Sequence, residues 1–100
     1  MSDYFLLRDK CDYVDGKNGV MIFDFYNKKA FHLHEKESKV FRELMEGKDI
    51  QTLETDMVVF VKNMCDSNLG YVASHWKLHE PVHKGILLDV HSELRLLLQK

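Results

Sequence analysis

The sequence predicts a small α+β domain, a three-stranded antiparallel sheet followed by helices. Three observations predict it. Residues 20–26 and 30–34 are rich in β-branched and aromatic side chains and are joined by the polar Asn27-Lys28-Lys29, which reads as a hairpin. The dipeptides Asp15-Gly16 and Asn18-Gly19 mark a turn just before it. Residues 35–46 and 55–66 then repeat apolar side chains at helical spacing, with polar side chains between them.

The first strand is expected in the region of Tyr4 to Leu7 and Val14, edge-like because Arg8, Asp9, Lys10 and Asp12 interrupt it. In the hairpin, a three-residue loop puts Phe25 opposite Phe31 and Phe23 opposite Leu33, so four large apolar groups share one face. A two-residue loop would bring Asp24 onto that face, and the register therefore favours the longer loop. The first helix carries Val40, Phe41, Leu44 and Met45, has Glu35 and Glu37 in its first turn and ends before Gly47. It is expected to lie across the Phe23, Phe25, Phe31, Leu33 face. Only a turn or two fits around Ile50 and Leu53. Thr55 or Asp56 then caps a second helix whose stripe of Met57, Phe60, Val61 and Met64 is widened by Val58 and Cys65. So broad an apolar surface implies contact on two sides. Residues 71–73 read as extended, residues 74–85 as a histidine-rich polar loop, and residues 86–98 as a helix with Ile86, Leu87, Val90, Leu94 and Leu97 on one face.

One hundred residues with one proline and five glycines suit one globular domain rather than a disordered chain. A net charge of −2 argues against nucleic-acid binding by charge alone. No apolar run is long enough to cross a membrane, and the start MSDYF does not resemble a secretory signal. Cys11 and Cys65 match no metal or redox spacing, so both are expected as reduced thiols in the cytoplasm.

Chemistry-bearing motifs are few. There is no glycine-rich phosphate loop and no nucleophile elbow, so no catalytic residue and no cofactor is expected. His32 and His34 share a strand face, and His75, His79 and His83 recur every four residues. Pro81 argues against an unbroken helix there, and no metal site is assigned. Trp76 reads as a packing or interface anchor.

The order of these elements, with the segments KKAFHLH and VFRELMEG and then MVVFVKNM and LGYV, resembles the PqqD-like domain, the RiPP recognition element. The resemblance spans residues 4–73, with residues 74–100 as a histidine-rich loop and a C-terminal helix that packs on the domain, links onward or forms a homodimer contact. In that family a fuller second helix stands where GKDIQTLE is short. The resemblance implies a winged-helix-like fold. It also implies that the domain catalyses nothing, binds the leader segment of a ribosomally made precursor peptide by strand addition, and presents it to a modifying enzyme, commonly a radical-SAM maturase. The edge would be Lys29, Ala30 and His32, supported beneath by Phe31 and Leu33, with Val58, Val61, Lys62 and Cys65 as the helix wall. Two other readings stand beside it: a winged-helix DNA-binding regulator and a non-catalytic dimerisation scaffold. Residues 55–66 offer only Lys62 and Asn63 to phosphates and bases, which weighs against DNA.

Overall fold

A computed structural model describes residues 1–80. Pro81, His83, Gly85 and the stripe expected over residues 86–98 lie outside them.

The chain forms strands β1 (Tyr4–Leu7), β2 (Cys11–Gly16), β3 (Gly19–Asp24) and β4 (Lys29–His32), then helix α1 (Glu35–Met45), a 3-10 turn (Ile50–Thr52), helix α2 (Thr55–Asp66) and strand β5 (Gly70–Ala73). Strands β2, β3 and β4 form the expected three-stranded antiparallel meander. The expected first strand is in fact two. The Cys11 amide donates to the Arg8 carbonyl at 2.9 Å, turning the chain, and β1 leaves the sheet to pair antiparallel with β5. That pairing needs Gly70, because a Cβ there would fall 2.3 Å from the Phe5 ring and 2.6 Å from the Leu6 carbonyl oxygen.

The hairpin register also differs from expectation. Ile22 pairs with Phe31, Phe23 with Ala30 and Asp24 with Lys29, so the connection is the four residues 25–28. Asp24 causes the shift. Its buried carboxylate accepts the Tyr26 and Asn27 amides, each at 3.1 Å, and the Asn27 side-chain amide at 2.8 Å. The turn therefore starts at Asp24, and Lys28 takes the left-handed conformation at φ 54°. Moving the register by an odd number of residues exchanges the faces of the sheet. Val20, Ile22 and Leu33 enter the core. Phe23, also buried, lies on the opposite face of the sheet, and its ring stacks on that of Phe25 with centroids 6.4 Å apart.

Helix α1 runs over the core face. Val40, Phe41, Leu44 and Met45 are buried as their spacing predicts, and Phe41 meets Phe5 and Tyr13 edge-on. Ser38 fastens the helix to the sheet, its hydroxyl accepting the Val20 amide at 2.9 Å and donating to the Leu33 carbonyl at 3.1 Å. Gly19 is needed beside it. Its φ of +115° is in the left-handed region, and a Cβ would lie 2.9 Å from both the Ser38 Oγ and the Leu33 oxygen. The Arg42 guanidinium reaches Asp15 at 2.9 Å, tying α1 to β2. After β5 the chain returns irregularly along residues 74–80. Trp76 lies over Gly47, where α1 ends, and His79 stands 3.5 Å from the Asp12 carboxylate. No helix aligns His75 with His79.

Candidate functional site

Strand β4 pairs with β3 alone among the described residues, so one of its edges is open. Which groups face out follows from the ladder. The Leu33 amide donates to the Val20 carbonyl at 2.9 Å, and the antiparallel register then makes Phe31 and Lys29 the residues bonded to Ile22 and Asp24. Alternation leaves the backbone N–H and C=O of Ala30 and His32 pointing outward. Both residues are exposed, while Phe31 between them is half-buried against the core and Leu33 is buried in it. Lys29 is exposed as expected, but its backbone bonds go to β3. The His32 Nε2 lies 3.0 Å from the Asn18 carbonyl oxygen, which anchors that ring on the neighbouring turn.

Both ends of α2 come close to the ends of β4. At its start, Asp56 and Glu54 meet Lys36 at 2.6 and 3.6 Å, four residues past the end of β4. At its finish, Asn68 lines the same cavity as Tyr26 of the β3–β4 connection. The helix therefore runs antiparallel to β4. Its main packing is on β5 and α1, whereas that of β4 is on β3. The main packing of α2 therefore does not cover the open edge of β4.

The expected helix wall needs two corrections. Val61 is only 3% exposed and belongs to the core, because it shares the inward stripe with Met57, Phe60 and Met64. Val58, Lys62 and the half-buried Cys65 are accessible in part, but at 100° per residue they lie on the flank away from Asp56, the residue that meets Lys36. At 100° per residue, Asp56 and Asn63 fall on the opposite flank, with Lys36 and the end of β4. Outward-facing α2 side chains include Val58, Val59, Asp56 and Asp66 alongside Lys62 and Asn63, an unsuitable surface for phosphates.

A cavity of about 460 Å³ lies where β1–β2, the β3–β4 connection and the end of α2 converge, lined by Arg8, Asp9, Lys10, Tyr26, Asn68 and Tyr71. The Arg8 guanidinium sits 5.6 Å from the Tyr71 ring centroid and the Lys10 ammonium 5.4 Å from that of Tyr26. Sequence reading passed over these residues, treating Arg8 and Lys10 as interruptions of a strand. Only the alternation of the two cations hinted that they share a side.

The thiols are shielded. Burial first, and the Asp24 carboxylate second, push Cys11 to about 11. Burial raises Cys65 too, with Asp66 adding and Arg8 opposing. No group of three or more potential metal ligands occurs among the described residues, and no helix among them is long and apolar enough to cross a membrane. Comparison with family models, with curated proteins and with solved structures found no match for this chain.

Proposed function

We propose that this domain is a PqqD-like peptide-recognition module, which docks the leader of a precursor peptide on β4 and holds it for a modifying enzyme, a radical-SAM maturase by family resemblance. One observation carries the reading: on either side of a half-buried Phe31, the exposed residues Ala30 and His32 have backbone groups that pair with no strand among the described residues. An extended segment pairing there gains backbone hydrogen bonds from both residues, and its inward side chains meet Phe31 and the α2 flank of Asp56 and Asn63. Antiparallel addition is favoured because its hydrogen bonds are the straighter ones. The guest then runs from the His32 end toward the Lys29 end. The domain supplies affinity and register, and the chemistry is the partner's.

The test is amide hydrogen exchange with a twelve-residue peptide selected on the immobilised protein from a random displayed library. Free, the Ala30 and His32 amides exchange fast. With peptide bound they are expected to slow, while Phe31 and Leu33 change little. Protection confined to other segments, or no selectable peptide at all, overturns the reading.

A further inference from the structure

We infer that the cavity between Arg8, Lys10, Tyr26 and Tyr71 is a carboxylate subsite that reads an acidic side chain of the docked peptide, just beyond its paired stretch. This rests on the strand-docking reading and names a specificity element within it. Arg8 is half-buried, its Nε–H is shielded from solvent without a hydrogen-bond partner, and it makes no ion pair among the described residues. A guanidinium carbon 5.6 Å from a tyrosine ring centroid, with an N–H donor left without a partner, offers the charge-assisted hydrogen bonding that a carboxylate accepts. Lys10 adds charge from the other wall but already leans on Asp24 at 3.7 Å, and Asp9 brings a negative charge of its own to the lining. The net positive charge on offer is therefore small. It suits a singly charged carboxylate better than a doubly charged phosphate.

Position supports the assignment. A peptide antiparallel to β4 ends beside the β3–β4 connection, whose Tyr26 lines the cavity together with Asn68 at the end of α2. The acid therefore belongs C-terminal to the residue opposite Ala30, at an offset fixed by the register of the paired stretch.

The experiment selects random twelve-residue displayed peptides in parallel on the wild-type protein and on Arg8→Gln. Wild-type winners are expected to share an alternating apolar pattern followed by Asp or Glu at a fixed offset. Arg8→Gln winners should keep the alternation and lose the acid. A wild-type winner remade with its acid as the amide should bind the wild-type protein about tenfold more weakly, a measurement that needs no protein variant to fold. If the acid is absent from wild-type winners, survives in those of Arg8→Gln, or is replaced by its amide without effect, the subsite is wrong and strand docking stands. If neither protein selects any peptide, strand docking itself fails, and the subsite with it.

Discussion

The Ser38 hydroxyl accepts the Val20 amide at 2.9 Å, and through this contact α1 is fixed over the strand that begins the core. The same oxygen donates its proton to the Leu33 carbonyl, so one small side chain satisfies buried groups on β3 and on the segment leaving β4. Ser38→Ala orphans both. The expected loss is about 2–4 kcal/mol, read as a lower urea midpoint at unchanged slope.

Asp24 sets the hairpin register, and its contribution depends on pH. Burial, the largest influence, works to raise its carboxyl. The hydrogen bonds from Asn27, the Lys10 charge and the Tyr26 amide together outweigh it and hold the group below the ordinary carboxylate range. A depressed folded value means stability that is complete above the unfolded value of about 3.9 and is lost as pH falls through the lower folded one. Asp24→Asn is expected to destabilise the protein at pH 7, with a gap from wild type that narrows below about pH 4 in parallel urea titrations.

Both cysteines are raised, Cys11 to about 11, and Cys11 is fully buried while Cys65 is half-buried. An aromatic disulfide reagent at pH 8 should therefore label Cys65 slowly and Cys11 only through opening of the fold. Peptide mapping of the labelled protein gives the order. Faster labelling of Cys11 would contradict the packing of β2.

The outward backbone of Ala30 makes a selective lesion available. Ala30→Pro deletes an N–H that no β3 group uses, which an edge strand tolerates. The fold is expected to survive, by far-UV circular dichroism, and peptide binding to fall at least tenfold. Phe31→Pro removes a ladder bond instead and should destabilise the domain.

Val61→Asp buries a charge among Met57, Phe60 and Met64. A loss of more than about 3 kcal/mol is expected, enough to unfold most of the protein. Val58→Asp, at an exposed position, should leave the thermal midpoint nearly unchanged. The pair separates core from surface on a helix whose two valines look alike in sequence.

The sequence by itself determined the α+β class, the meander, both helices and the end of α1 at Gly47, because periodicity and turn dipeptides are local properties. The edge at Lys29, Ala30 and His32 was an implication of the family resemblance rather than of local spacing. Only the tertiary structure decided which face of the hairpin is the core. One buried carboxylate, Asp24, captured the turn amides and displaced the register by three residues, and an odd displacement moves Phe23 to the opposite, also buried, face and Ile22 into the core. Tertiary contacts likewise split the first strand, since the partner of Tyr4–Leu7 is β5, some 66 residues away in the register Tyr4 with Ala73 to Leu7 with Gly70. The Arg8–Tyr71 pair depends on that same long-range contact, so the chemistry of its cavity was absent from any local pattern. Side-chain spacing encodes what a segment can bury; what it meets is settled when distant segments compete for the same surface.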